Sequence, residues 1–368
     1  PGAFARSLFS QMLWFQHPRV LGAFEAVSSL IPARLLLSLA MYAETCFRPA
    51  GLRSVKPLGS SRKTIPKNPL LQLVCAADRS RMVQDVQDLC LQSMAIRYSR
   101  LKTANRTIYI DPILFNMPLP LGERSETIQD LPAALMGTKF SLQGRRIRLF
   151  MQWGTGLSAR HLDMDLSCFV TYETPGKQDY CSYSRLSISG CQHSGDIRHI
   201  PDKVGTAEYI EINLDELERQ RARYVCFTCN AFSQGELSPN MVVGWMDSQY
   251  PMQISEKNGV AYDPSCVQHQ VRIERGLTKG LVFGVLDVAA AHIIWLEMPF
   301  QGVMVQNMNS DDVESLLAKL DSRMSIGNLL TVKARACQLE IIPSPEADEV
   351  YDRQWALDAA AVSQLFVD

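Results

Sequence analysis

Two-residue alternation of apolar and polar side chains runs through nine short segments between Phe140 and Gln301, and it constrains the fold more than any other feature of this sequence. The segments are 146–153, 163–172, 180–184, 208–214, 223–229, 242–246, 267–274, 281–288 and 292–298. A period of two places alternate side chains on one face of a strand, so each segment has a face to give to a core. Turns of irregular length separate the segments. That order argues for a β-sandwich or barrel, not for a parallel sheet with crossover helices.

The flanks follow a helical period. In residues 1–48, Phe9, Met12, Leu13 and Phe15 begin an apolar stripe that Val20, Phe24, Val27 and residues 30–41 continue. Pro32 suits the first turn of a helix carrying Leu35 to Ala43. Residues 49–69 are rich in Pro, Gly, Ser and Lys and read as a linker. A helix of about thirty residues, whole or broken, is expected over 70–101 and a strand over 107–110. Further helices are expected over 310–324, 327–337 and 353–366, with a short strand at 339–342. The fold class is therefore mainly β with flanking helices: a helical region over 1–106, a sandwich over 107–301 and a helical extension over 302–368. Trp153, Trp245 and Trp295 fall on strands, Trp14 and Trp355 on helices, and all five are expected in cores.

Net charge is −1, but residues 1–110 hold 15 Lys and Arg against 5 Asp and Glu, and the remainder reverses the balance. The basic residues are scattered and lack the interleaved aromatics that nucleic-acid stacking needs, so an acidic partner or the chain's own acidic part is favoured over nucleic acid. The apolar stretch 27–47 contains Pro32, Arg34 and Glu44 and falls short of a membrane span. The opening residues lack the order of a cleavable export signal. Ten dispersed cysteines without an export signal point to reduced thiols and a cytoplasmic setting. Cys226 and Cys229 have CxxC spacing, but an offset of three on a strand sends them to opposite faces.

The chemistry-bearing segment is Asp163-Met-Asp165. Leu162, Met164, Leu166, Cys168 and Val170 form its apolar face, and the two carboxylates point the other way. Adjacent carboxylates repel, and a bound cation reverses that. Oxygen ligands favour calcium or magnesium over zinc. Asp196 follows Gly195 in a turn, Asp202 lies in the next loop, and Glu208 opens a strand continued by Ile210 and Ile212. Spacing alone leaves two readings, a cation site or solvated loop acids. His193, Ser194 and Asp196 are too close in one loop to stack as a catalytic triad. His193 reads as a loop organiser that hydrogen-bonds backbone, and His161 and His199 as surface residues. No catalytic residue is assigned.

Asp163-Met-Asp165, Gly195-Asp196 and Glu208-x-Ile-x-Ile resemble the tellurium-resistance, or TerD-type, domain family. Phe283-Gly-Val-Leu-Asp-Val followed by Ile293-Ile-Trp295 is similar to that domain's final hairpin. His193-Ser-Gly-Asp196, Ala207-Glu-Tyr-Ile210, Arg223-Tyr-Val225 and Gly244-Trp-Met246 resemble more closely a bacterial subfamily of large TerD-like proteins, some with an N-terminal RING-type zinc domain. The resemblance covers about 107–350. It implies a two-sheet sandwich that binds calcium in loops at one edge, and an association with resistance to tellurite and other chemical stresses. Carried over by position, Asp163, Asp165, Asp196 and Glu208 are the implied ligands. The family's loop reads Gly-Asp-Gly-Asp-Asp-Glu where residues 203–208 read Lys-Val-Gly-Thr-Ala-Glu, and Asp202 is the nearest replacement. Fewer anionic ligands imply weaker binding or fewer ions.

These observations lead to a cytoplasmic stress-response or defence protein whose sandwich is a calcium-binding, non-catalytic interaction module. Its expected partners are calcium and either other proteins or an upstream domain of the same protein. The alternatives are a metal-dependent hydrolase using the same carboxylates, or a scaffold with a degenerate metal site.

Overall fold

A computed structural model describes residues 1–47, 53–55, 63–65, 68–121, 134–156, 163–197, 200, 205–232, 237, 240–248, 267–273, 279–300, 308 and 310–367. The chain divides into two compact units, one of Pro1–Ser125 with Leu316–Asp368, the other of Glu126–Ser315.

The first unit begins with helices α1 (Gly2–Phe15), α2 (Arg19–Val27) and α3 (Ala33–Phe47). A two-stranded ribbon of β1 (Arg53–Val55) and β2 (Lys63–Ile65) follows, then helix α4 (Ala76–Ser99). Of the two forms expected for the helix over 70–101, the broken one is found: Asn68 caps a separate short turn at Pro69–Leu73, and α4 is capped afresh by Cys75, whose thiol accepts from the Asp78 amide. Leu8, Phe24, Leu36, Phe47, Val86 and Leu89 share one core. Trp14, expected inside, is 68% exposed at the end of α1, where the buried stripe of Leu8, Met12 and Leu13 runs on the other side of the helix.

β3 (Thr107–Ile110) also lies in this unit, although the sequence reading began the sandwich there. It is the centre of a parallel sheet between β16 (Glu340–Ile341) and β17 (Glu349–Tyr351). Helix α7 (Ile326–Cys337) is capped by Ser325 Oγ and closed by Gln338 in the left-handed region at φ 57°. The single helix expected over 353–366 is instead α8 (Arg353–Leu357) and α9 (Ala359–Ser363). Asp358 turns extended between them and caps α9 with its side chain. No helix among the described residues is long and apolar enough to cross a membrane.

The second unit is a sandwich of two six-stranded antiparallel sheets. Its strands are β4 (Lys139–Ser141), β5 (Arg146–Trp153), β6 (Met164–Tyr172), β7 (Gln178–Cys181), β8 (Ser187–Ile188), β9 (Cys191–His193), β10 (Thr206–Asn213), β11 (Ala222–Ala231), β12 (Met241–Asp247), β13 (Val267–Ile273), β14 (Gly280–Asp287) and β15 (His292–Phe300). The short helix α5 (Leu214–Arg219) joins β10 to β11, and α6 (Ser310–Asp321) runs on into the first unit. One sheet has the order β13-β12-β5-β10-β9-β8, the other β4-β15-β14-β11-β6-β7.

Alternation fills the space between the sheets. Ile147, Leu149 and Met151 of β5 and Met164, Leu166, Cys168 and Val170 of β6 all enter it. Trp153, Trp245 and Trp295 are fully buried there; burying side chains of this kind stabilises by roughly 1.5–3 kcal/mol each. Along β14 and the residue that follows it, the inward parity switches from Leu281 and Phe283 to Leu286 and Val288. Phe283 is the extra residue of a bulge opposite Phe227 and Thr228, and one extra residue reverses a two-residue period. Cys229 faces the core while Cys226 does not, as the strand offset requires. Burial pushes both thiols up, which leaves them inert.

Candidate metal centre

The cluster forms where β6 begins. Met164 and Leu166 go to the core, so Asp163 and Asp165 take the opposite parity. Asp165 is nonetheless buried, at 3% exposure, and lies opposite Asn230 of β11 in the ladder. The Asn230 amide donates to Asp165 Oδ2 at 3.1 Å. The Phe232 amide donates to the Asp163 carbonyl at 2.9 Å and extends the pairing by one step.

Asp196 arrives from the other sheet. β9 ends at His193, and the chain turns through Gly195 at φ 110°, a region that favours glycine. The Ser194 amide donates to Tyr209 O at 2.8 Å and the Tyr209 amide donates back to Ser194 Oγ at 2.9 Å, which pins the turn to β10. One oxygen from each of Asp163, Asp165 and Asp196 lies within 4.8 Å of the others. Two full charges at that spacing repel by roughly 3 kcal/mol at an effective dielectric of about 20. Burial first, then the charges of Glu208, Asp163 and Asp196, push the Asp165 carboxyl up to about 7, against the pull of Asn230.

Glu208 stands behind the cluster. It is fully buried on the inward parity of β10. Its Oε2 accepts from the Leu166 amide at 2.8 Å and its Oε1 from the Ile197 amide at 3.3 Å. His193 Nε2 lies 3.5 Å from Oε2 and 3.0 Å from the Leu166 carbonyl. The Gly195 amide donates to His193 Nδ1 at 3.0 Å, so the ring proton belongs on Nε2, facing Leu166 O. Burial pushes the Glu208 carboxyl up, and His193 with the two backbone amides pulls against it. Gly205, just ahead of β10, has φ 76°, and a β-carbon there would run into Trp153 O and come within 2.7 Å of the Thr155 amide.

Of the sequence candidates, the structure therefore joins Asp163, Asp165 and Asp196 as a group and sets Glu208 behind them with both oxygens on backbone amides. Asp202, His161 and His199 lie outside the described residues. Ser194 and His193 are engaged with backbone and form no triad. Two contributors escaped sequence reasoning. Asn230 is 65 residues from Asp165 and only strand register reveals it. Tyr183 is half-buried, its ring packs edge-on to Phe232 at 6.0 Å, and burial together with Asp165, Asp196 and Asp163 raises its hydroxyl. Three carboxylates in one place, with oxygen as their only donor atom, fit a hard cation and no soft one.

No family model and no curated protein matches the sequence. Several solved structures align with part of it. One, a protein of unknown function named SAV2460, gives a TM-score of 0.32 at 10% identity over 44% of this chain and 93% of its own. Another, a homologue of telluride resistance protein (TerD), SCO6318 from Streptomyces coelicolor A3(2), gives 0.30 at 12% identity over 43% and 91%. Superpositions at this level fix neither family nor function.

Proposed function

We propose that the sandwich is a calcium-binding interaction module of the TerD type, in a cytoplasmic bacterial stress-response or defence protein, and that it acts through partners instead of by catalysis. The observation that carries the calcium reading is the convergence of Asp163, Asp165 and Asp196 from two sheets. A proton on Asp165 relieves their repulsion at low pH, and a divalent cation relieves it directly once the carboxylates are ionised. Calcium takes six to eight oxygens; the three carboxylates supply the charge, and backbone carbonyls and water complete the shell. Asp202 is the sequence's further ligand candidate. The TerD reading rests on Asp163-Met-Asp165, Gly195-Asp196 and the strand opening at Glu208.

Binding to the folded state alone raises stability by mass action. Thermal melting of chelator-stripped protein across a calcium series tests this. The melting temperature is expected to climb with calcium in the wild type and to stay flat in Asp163→Ala with Asp165→Ala. A wild type that ignores millimolar calcium would sink the reading.

A further inference from the structure

Asp165 belongs to one sheet and the turn bearing Asp196 to the other, so no ladder of backbone hydrogen bonds sets their separation. β7 pairs with β6 only from Cys168 to Thr171. The N–H and C=O of Leu166 lie past the end of that pairing, and side chains from the opposite sheet take both. Glu208 Oε2 accepts the Leu166 amide, and His193 Nε2 donates to the Leu166 carbonyl. The same two side chains hold the Asp196 turn: Glu208 Oε1 accepts from Ile197, and His193 Nδ1 accepts from Gly195. The bonded positions are specific. Leu166 directly follows Asp165, and Gly195 and Ile197 directly flank Asp196. Hydrogen bonds from backbone N–H to a carboxylate are among the stronger ones.

We infer that Glu208 and His193 are positioning residues for the cation site, a clamp that holds the backbone of Asp165 and Asp196 together against the repulsion of their side chains. Glu208 then acts as a support and not as a ligand: each of its oxygens holds a backbone donor, and the carboxylates whose oxygens lie within 4.8 Å of one another are those of Asp163, Asp165 and Asp196. The inference rests on the calcium reading for its purpose, but the clamp itself is measurable without metal. It also separates two roles that the sequence resemblance merges, since Glu208 was implied there as a ligand alongside the aspartates. Loss of the clamp alters affinity and leaves the coordinating atoms in place.

Terbium(III) is the probe, because it occupies calcium sites and its luminescence lifetimes in light and heavy water count the waters on the bound ion. The full chain is stripped with chelator first. Asp196→Ala removes a ligand and is expected to add coordinated water. Glu208→Gln is expected to weaken terbium binding by about tenfold to a hundredfold with the wild-type water count retained. Extra water in Glu208→Gln, matching Asp196→Ala, would make Glu208 a ligand and overturn the inference. His193→Gln keeps a donor for Leu166 O and is the milder variant should Glu208→Gln not fold; it is expected to weaken binding severalfold at an unchanged water count, and wild-type affinity in it would count against the clamp. Amide exchange in the metal-free protein separates the two readings. Leu166 and Ile197 are expected to exchange slowly in the wild type and faster in Glu208→Gln. A wild type that binds no terbium would end the calcium reading, and unchanged exchange at both amides in Glu208→Gln would overturn the clamp.

Discussion

Asp348 and Asp165 each sit at the start of a strand, and the chain treats them in opposite ways. Around β17, the amides of Arg106 and Thr107 and the Thr107 hydroxyl all donate to Asp348 Oδ2, at 2.8, 3.0 and 3.1 Å, and hold its carboxyl below the usual range. Burial pushes the neighbouring Glu349 up, but Lys333, Asn105 and Tyr351 outweigh it, and its carboxyl is also lowered. Lys333 Nζ lies 2.6 Å from Glu349 Oε2 and 2.6 Å from the Tyr351 hydroxyl. At β6, by contrast, Asp165 has among the described residues one amide donor and three carboxylate neighbours, and its carboxyl is raised. The first region carries its own counter-charge. The second gathers carboxylates, and on the calcium reading proposed above a bound cation completes it.

The sharpest way to break this comparison is pH. Asp165 has a folded pKa of about 7 above its ordinary 3.8, so its contribution is complete below about pH 4 and lost as pH rises through 7. A rise from 3.8 to about 7 corresponds to on the order of 4 kcal/mol at most. Asp348 and Glu349 have lowered pKa values, so their contribution is present above the ordinary carboxylate pKa and lost only as pH falls through the lower folded values. Metal-free protein is therefore expected to melt higher at pH 5 than at pH 8, then lower again below about pH 4. Asp165→Asn should flatten the upper limb, raise metal-free stability at pH 8 by up to several kcal/mol, and remove the response to calcium. A flat profile from pH 8 to 5 in the wild type would erase the distinction between the regions.

Gly205→Ala probes the support of the acids without changing any charge. The added carbon meets Trp153 O and the backbone is held at φ 76°, so a loss of about 2–3 kcal/mol in chemical denaturation is expected, with weaker calcium binding. Glu349→Gln probes the self-sufficient region. It leaves the Lys333 ammonium, 13% exposed, without its carboxylate, at about 1–3 kcal/mol, and calcium affinity should not move. Arg145→Ala, which removes exposed pairs with Asp215 and Glu218, is expected to cost under about 1 kcal/mol. A cost for Arg145→Ala as large as for Glu349→Gln would mean that burial is not what separates strong pairs from weak ones here.

Much of the sandwich was legible because alternation is a local signal. The segment 146–153 is β5 to the residue, and Leu166, Cys168 and Val170 face inward as their period demands. Shorter pieces escaped. β8 and β9 span two and three residues, too few to show a period, and α5 hides behind the end of β10. Trp14 followed an apolar stripe in sequence yet faces away from the core, since hydrophobicity names candidates for burial without saying which neighbours arrive to cover them. At the site, the sequence named Asp163, Asp165 and Asp196 as candidates, but their spacing alone left a cation site and solvated loop acids equally open. The engagement of Glu208 by Leu166 and Ile197 depends on where β7 stops pairing, which no local pattern encodes.

Calorimetric titration of calcium into chelator-stripped protein at pH 8 tests the central claim most directly, because Asp165 is then ionised in the free state. A saturable heat in the wild type, absent from the folded Asp163→Ala, Asp165→Ala double variant, is the predicted result. No heat in the wild type, or equal binding by the double variant, would contradict it.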